Sequence, residues 1–140
     1  MREAEKACAA NGRKLTAMRR HVLETLAASH AALGAYEIIE RIGAKRTPPA
    51  PITVYRALDF LVENGLAHRI ESRNAYLACA HLHRHNDMVV FLICEQCRVV
   101  GEAPSAALAE TLAIAAQKAG FALKTPVIEV SGLCAHCRKT

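Results

Sequence analysis

Residues 53–79, TVYRALDFLVENGLAHRIESRNAYLAC, decide the fold of this chain. The first part of the stretch repeats apolar residues at intervals of three and four, which is the period of a helix with one buried side. These residues are Val54, Leu58, Leu61 and Val62. Asn64 and Gly65 follow them and favour the left-handed conformation that ends many helices. The sequence therefore predicts a helix that buries this apolar stripe and stops at Asn64.

Two short strand-like segments follow this helix, at residues 66–71 and 75–79. Residues 72–74 between them are typical of turns, so the two segments predict a β-hairpin. Upstream, helical periodicity predicts two more helices, at residues 16–29 and 35–44. Helices followed by a small hairpin form a winged helix-turn-helix, whose third helix enters the major groove of DNA.

A second domain is predicted beyond residues 80–87, a histidine-rich stretch without periodicity. Its elements are strands at residues 88–93, 98–102 and 127–130 and an alanine-rich helix at residues 105–119. The fold class is therefore α+β. We predict a winged-helix domain over residues 1–80, a hinge over residues 81–87 and an α/β domain over residues 88–140.

The positive charge of the chain lies in its first part. Residues 1–84 carry 13 Lys and Arg against 8 Asp and Glu, whereas residues 85–140 carry 5 against 5. A basic segment joined to a neutral one indicates that the first part meets a polyanion such as nucleic acid. The alternative is a basic surface that is merely solvated.

The composition is that of a folded chain, with 52% apolar residues among 140. No apolar run approaches the roughly 20 residues of a membrane helix, and residues 1–10 show no secretory signal. We therefore expect a soluble cytoplasmic protein with no membrane partner. Its six cysteines should stay reduced, which favours metal binding or redox chemistry over disulfides.

Two pairs of cysteines, each with two residues between its members, are the strongest chemical signal. They are Cys94 with Cys97 and Cys134 with Cys137. Each tight knuckle presents two thiolates to one ion, and four thiolates close a structural zinc site that has no open position for catalysis. The alternatives are a redox dithiol and unliganded buried cysteines. The zinc deaminase pattern does not fit, because no His has a Glu two residues later.

A second group of possible metal ligands surrounds the predicted hinge. It comprises His68, Cys79, His81, His83, His85, Asp87 and Glu102. A metal held by members of this group would bridge the two domains. A histidine-rich linker can equally be a polar loop, so the residues alone leave both interpretations open.

The polar side of the predicted third helix carries Thr53 and Arg56, with Tyr55 between them. Arg is the side chain that most often reads guanine, and Thr53 and Tyr55 can reach phosphates. The alternative is an amphipathic core helix whose polar side is only solvated. The charge asymmetry of the chain favours contact with DNA.

The run TVYRAL at residues 53–58 before Gly65, followed by His68 and by both cysteine pairs, resembles the Fur family, and within it the zinc-uptake regulators. The resemblance extends over residues 15–137. It implies that the α/β domain is a dimerisation domain, and that a homodimer loaded with metal binds operator DNA and represses uptake genes. It implies two zinc ions per chain, one structural and one regulatory, and no catalytic residue or enzyme activity.

The resemblance also implies roles for single residues. It makes Arg56 the base-contacting residue of the recognition helix and Tyr36 a further DNA contact. It implies a sensory zinc held by a His of the wing, a Cys at the end of the wing, a His of the hinge and a Glu after the first cysteine pair. Three of these roles fall on His68, Cys79 and Glu102.

The hinge ligand departs from the family pattern. Ungapped matching puts Asp87 at the usual histidine position, whereas His85, two residues earlier, is the better zinc ligand. We favour His85, with Asp87 as the alternative. The thiolate of Cys79 is a soft ligand that favours zinc over iron or manganese. The alternative functions are an iron- or manganese-sensing regulator of the same family and an interaction module with structural zinc only.

Overall fold

The computed structural model describes four ranges of the chain, residues 1–80, 87–103, 105–124 and 127–139. The chain divides into two compact units, Met1–Leu82 and His83–Thr140. None of the helices in the described ranges combines the length and the apolar character that a membrane span requires.

The first unit consists of four helices followed by a two-stranded hairpin. The elements are α1 (Arg2–Ala10), α2 (Ala17–Ala27), α3 (Ala35–Gly43), α4 (Pro51–Glu63), β1 (Ala67–Ile70) and β2 (Ala75–Ala78). Helices α2, α3 and α4 pack against one another around Leu26, Ile38 and Leu58, each of which is at most 1% exposed. This arrangement confirms the predicted winged helix-turn-helix.

Helix α4 is the third helix of that motif, and its sequence sets both of its ends. Pro51 occupies the first turn, where a missing N–H group breaks no hydrogen bond, and Gly65 beyond the last turn has a φ of 69°. The buried side of α4 comprises Val54, Ala57, Leu58, Phe60 and Leu61. The prediction that Val62 belongs to this side is wrong. Val62 is 36% exposed. Leu61 lies at the centre of the buried stripe, and Val62 is turned about 100° away from it around the helix axis.

The hairpin forms the wing, with β1 and β2 paired antiparallel. A short 3-10 turn, Glu71–Arg73, joins the strands. Asn74 closes this turn with a φ of 46°, a conformation that Asn adopts more readily than most residues. A bridge between Leu33 and Tyr76 adds the segment before α3 to the hairpin. The wing is therefore fixed to the helical core.

Helix α1 was not predicted from the sequence. It packs on the first unit through Ala4 and Cys8, which are both buried. Glu5 of α1 also forms a salt bridge with Arg20 of α2. The helix therefore belongs to the same core as α2 and α4.

The second unit contains a three-stranded sheet and one helix. The elements are β3 (Val89–Cys94), β4 (Val100–Ala103), α5 (Ala106–Lys118) and β5 (Val127–Gly132). Strand β3 is central, antiparallel to β4 and parallel to β5, and α5 lies in the crossover that a parallel pair needs. The buried side chains at β3 are Met88, Val89, Val90, Phe91, Ile93 and Cys94. No residue of α5, which is described along its whole length, is buried.

Candidate metal centres and nucleic-acid surface

Two strand ends bring the cysteine pairs together. Strand β3 ends at Cys94, and its parallel neighbour β5 ends at Gly132, two residues before Cys134. The strands stay joined past their ends, because the Glu95 N–H donates to the Gly132 carbonyl at 2.9 Å. Parallel neighbours end at the same edge of a sheet, so both pairs meet there although 40 positions separate Cys94 from Cys134.

Each cysteine pair forms a tight backbone knuckle. The Arg98 N–H donates to the Cys94 carbonyl at 3.0 Å, and the Arg138 N–H donates to the Cys134 carbonyl at 2.9 Å. Arg98 has a φ of 63°, so the chain turns back directly after the first pair. Backbone N–H groups also approach sulfur: Cys134 N lies 3.4 Å from Cys94 Sγ, and Cys137 N lies 3.5 Å from Cys134 Sγ. Such donors stabilise thiolates.

The spacing of the sulfur atoms fits a tetrahedral ion. All four Sγ atoms lie within 4.8 Å of one another, and those of Cys97 and Cys134 are 3.7 Å apart. A tetrahedron with zinc–sulfur bonds of about 2.3 Å has edges of about 3.8 Å. A disulfide would need about 2.0 Å between its sulfur atoms, and the six cysteines are free thiols. The cluster therefore has the size of a four-thiolate zinc site.

The thiols of this cluster differ in acidity. Hydrogen bonds from the backbone N–H groups of Cys97 and Cys134 lower the pKa of Cys94 to about 6. The backbone N–H of Cys137 lowers the pKa of Cys134. Burial, together with hydrogen bonds to the neighbouring thiols, raises the pKa of Cys137 to about 12. A divalent metal ion would therefore displace the proton of Cys137 on binding.

The hairpin of the first unit places a second pair of metal-binding side chains together. His68 lies in β1 opposite Leu77 of β2. Cys79 follows β2, and its N–H donates to the Leu66 carbonyl at 2.9 Å. A ring nitrogen of His68 lies within 4.8 Å of Cys79 Sγ, and both residues are half-buried. One nitrogen and one sulfur ligand suit a borderline-soft ion such as zinc.

The remaining predicted ligands lie in the second unit or outside the described residues. Glu102 is half-buried in β4, opposite Phe91 of β3. Asp87 is exposed and precedes β3. His81, His83 and His85 lie outside the described residues. The choice between His85 and Asp87 as the hinge ligand therefore stays a prediction.

The predicted DNA-contacting residues lie on the first unit. Thr53 and Arg56 are exposed on α4, whereas Tyr55 is half-buried and packs against the core. Tyr36, in the first turn of α3, is 70% exposed. Three of the four side chains are thus open to a ligand, and Tyr55 offers only part of its surface.

The exposed side of α4 also carries Ile52, which the sequence pattern does not single out. Ile52 is 59% exposed in the first turn of the helix. It lies four positions before Arg56, and this spacing places both residues on the same side of the helix. The spacing could have revealed Ile52, but an isoleucine beside a buried stripe is easily taken for part of the core.

Comparisons with known proteins give a consistent result. The model of the ferric uptake regulator family matches residues 10–131. The chain is 37% identical to the zinc uptake regulation protein of Escherichia coli strain K12 over 135 residues, which cover 96% of this chain and 79% of that protein. Its structure is similar to a zinc uptake regulator complexed with zinc and DNA, with a TM-score of 0.91, 36% identity and coverage of 98% and 91% of the two chains. It is also similar to holo XcZur, with a TM-score of 0.87, 38% identity and coverage of 99% and 96%.

Proposed function

The chain belongs to the ferric uptake regulator family, and from that membership we propose that it is a zinc-responsive transcriptional repressor. It binds operator DNA as a zinc-loaded homodimer and represses zinc-uptake genes. It acts by binding and not as an enzyme. The observation that carries this proposal is the position of His68 beside Cys79 in the hairpin of a winged-helix unit. A metal ion bound there acts directly on the unit that contacts DNA.

The relatives support zinc as the regulatory metal. The E. coli relative is a zinc uptake regulation protein, and one structural neighbour is a zinc uptake regulator in complex with zinc and DNA. The chemistry of the ligands agrees with these names, because iron and manganese sensors favour nitrogen and oxygen donors over a thiolate. Cys79 therefore favours zinc independently of the comparisons.

We assign the structural zinc to the two cysteine pairs, Cys94, Cys97, Cys134 and Cys137. The size of the sulfur cluster supports this assignment, and a bound cation would offset the burial that raises the pKa of Cys137. A zinc ion with four thiolates has no open position. Its role is to join the ends of β3 and β5, not to respond to changes in zinc concentration.

We assign the regulatory zinc to His68 and Cys79 of the wing, with Glu102 of the second unit as the third ligand. His85 of the hinge is the favoured fourth ligand, and Asp87 is the alternative. This set combines two imidazole nitrogens, one thiolate and one carboxylate, all of which zinc accepts. Together with the structural ion, the proposal gives two zinc ions per chain.

Exposed apolar side chains of the second unit support a homodimer. Those that are at least 39% exposed are Leu92, Leu108, Ile114, Phe121, Leu123, Val127, Val130 and Leu133. They belong to the sheet, to α5 and to the segments that follow them. A monomer rarely exposes so many large apolar residues in so small a unit, so a second copy is their expected cover.

The exposed side of the first unit supports DNA binding. We propose that Arg56 contacts a guanine in the major groove, and that Thr53 and Tyr55 contact phosphates. Tyr36 makes a further contact from the first turn of α3. A repressor with these contacts acts where the operator DNA is, so we place the protein in the cytoplasm.

The proposed regulation is a shift between conformations. Zinc at the regulatory site raises the population in which the two recognition helices of the dimer match neighbouring major grooves. Linkage requires the reverse effect to be equal, so operator DNA should tighten the binding of the regulatory zinc by the same factor.

The experiment that tests the proposal removes the wing ligands. His68→Ala and Cys79→Ser should each lower the zinc content from two ions to one per chain and leave the dimer intact. The affinity for the regulatory zinc should fall by at least about a hundredfold, since loss of a ligand costs more than loss of a supporting residue. The zinc-dependent increase in DNA affinity should be lost with it. Zinc content is measured by metal analysis, and affinity by titration of labelled DNA in zinc-buffered solution.

Matched controls separate the loss of a ligand from the loss of a side chain. His30→Ala removes an exposed histidine outside the wing, and Cys8→Ser removes a cysteine outside both clusters. Both control variants should keep two zinc ions and full DNA affinity. Unchanged zinc dependence in the His68 and Cys79 variants would disprove the regulatory assignment. Absence of zinc-dependent DNA binding in the wild-type protein would disprove the function.

A further inference from the structure

The outward side of α4 carries four residues at intervals of four, three and four. They are Ile52, Arg56, Asp59 and Glu63, and all four are exposed. These intervals follow the helical repeat, so the four side chains form one row along the helix. The row lies opposite the buried stripe that contains Val54, Leu58 and Leu61. It is the part of α4 that a DNA groove would meet first.

The chemistry of this row changes along the helix. Arg56 in the first half is positive, whereas Asp59 and Glu63 in the second half are negative and would be repelled by phosphates. Recognition helices of this motif contact base edges with their N-terminal residues. The charge order therefore directs the N-terminal half of α4, with Ile52 and Arg56, into the groove.

Ile52 is an apolar residue in the first turn of this N-terminal half. A single exposed apolar side chain is common on protein surfaces and needs no explanation by itself. The position of Ile52 is what matters, because it lies one helical turn before Arg56 in the same row. Its side chain takes no part in the buried side of α4, so the helix does not need isoleucine there for packing.

The major groove offers one apolar group to such a residue. Thymine exposes its C5-methyl group there, whereas the other base edges present hydrogen-bond donors and acceptors. We propose that Ile52 packs against the C5-methyl group of a thymine that neighbours the guanine contacted by Arg56. This inference rests on the proposed function and adds to it a second residue that reads the operator sequence.

The test combines a protein change with the removal of a single methyl group from DNA. The wild-type protein, loaded with zinc, first selects its site from random-sequence DNA. Each thymine of the selected site is then replaced by uracil, which differs from thymine only by that methyl group. Binding of each DNA is measured for the wild-type protein and for Ile52→Ala.

We expect the wild-type protein to lose about fourfold in affinity at one uracil position in each half-site, the effect of exposing about one methyl group. Ile52→Ala should bind the thymine and uracil versions of that position equally well. It should keep its zinc content and its fold, because the residue is exposed and Ala favours a helix. Other thymine positions should respond equally in both proteins.

Val62→Ala is the matched control. It also replaces an exposed β-branched residue of α4, but at the C-terminal end of the helix. This variant should show the same sensitivity to uracil as the wild-type protein.

The outcomes distinguish the inference from the function on which it rests. If the wild-type protein selects DNA but no uracil position weakens its binding, or if Ile52→Ala keeps the full sensitivity, the inference is wrong and the function stands. If the wild-type protein selects no DNA in the presence of zinc, both are wrong.

Discussion

The two units of this protein bury their apolar side chains to different extents. In the first unit, helices α2, α3 and α4 each contribute side chains that are at most 1% exposed, among them Leu26, Ile38 and Leu61. In the second unit α5 has no buried residue, and large apolar side chains such as Phe121 and Leu133 are at least half exposed. The comparison indicates that the first unit is stabilised by its own core. Under the proposed function, the second unit gains the rest of its stability from a metal ion and a partner surface.

The largest expected effect follows from removing a ligand of the structural zinc. Cys94→Ser should abolish the folded second unit and the dimer, because a structural zinc ion contributes its binding free energy directly to folding. The first unit should stay folded, since its core contains none of these ligands. Hydrogen exchange measures both results in one experiment, as lost protection in β3 and retained protection in α4.

The control for this experiment is a cysteine that takes no part in the cluster. Cys8→Ala changes the buried cysteine of α1 and should leave the zinc content and the dimer unchanged. If the Cys94→Ser protein remained a zinc-loaded dimer with a protected β3, the second unit would not depend on the four-thiolate site.

A core substitution in the first unit should have the next largest effect. Leu61→Ala removes a side chain that is 0% exposed and should lower the free energy of unfolding of this unit by about 2–5 kcal/mol. Leu133→Ala, at an exposed position of the second unit, should change the unfolding of the monomer little but weaken the dimer. Denaturant unfolding and sedimentation measure the two effects. If Leu61→Ala and Leu133→Ala lowered the unfolding free energy equally, the proposed difference between the cores of the two units would be wrong.

A substitution of the proposed base-contacting residue of α4 should have a smaller effect, which is confined to DNA binding by the first unit. Arg56→Ala should weaken specific DNA binding by about 1–3 kcal/mol, which is the discrimination that one bidentate pairing with a base provides. The zinc content and the dimer should not change. Arg138→Ala removes an exposed arginine of the second unit and serves as the control. Titration with the selected site and with unrelated DNA separates specific from general binding. An equal decrease in affinity for both DNAs would assign Arg56 to a phosphate.

The smallest effect concerns a single interaction between helices of the first unit. The Arg19 guanidinium lies 3.5 Å from the ring centroid of Phe60, a cation–π interaction that is worth about 0.5–1 kcal/mol. Arg19→Ala should lower the unfolding free energy of the first unit by at least that amount, because it also removes the hydrogen bond that the Arg19 guanidinium donates to the Lys14 carbonyl at 2.6 Å. The exposed Arg13→Ala should not lower it. Denaturant unfolding with DNA absent gives the measurement. No difference between the two variants would show that the interaction contributes nothing.

Much of the fold could be predicted because its signals are local. The helical period and the turn residues of the stretch 53–79 defined α4 and the wing. Helix α1 escaped prediction because only Ala4 and Cys8 of its nine residues are buried, which is too few to establish a period. Val62 was misplaced because an apolar residue at the border of a stripe fits either side of a helix.

The sites were predictable where a chemical pattern is contained in a few residues. The spacing within each cysteine pair identified the four-thiolate cluster, but the meeting of the pairs depends on the parallel pairing of β3 with β5, which no local pattern encodes. The proximity of His68 to Cys79 likewise depends on the register of the hairpin. Ile52 was missed because an apolar residue near the buried stripe resembles a core residue, although its spacing from Arg56 places both on the exposed side of α4.

The separation of the two cysteine pairs has a consequence for the order of events during synthesis. Cys134 follows Cys94 by 40 positions, which a ribosome working at roughly 5–20 residues per second covers in about 2–8 s. The whole first unit precedes Cys94 and can fold during this interval. During this interval Cys94 and Cys97 have been synthesised, but Cys134 and Cys137 have not. If zinc joins the two cysteine pairs as proposed, it can close the second unit only after β5 has emerged. The nascent chain would then fold its winged-helix unit before the unit proposed to pair with another copy.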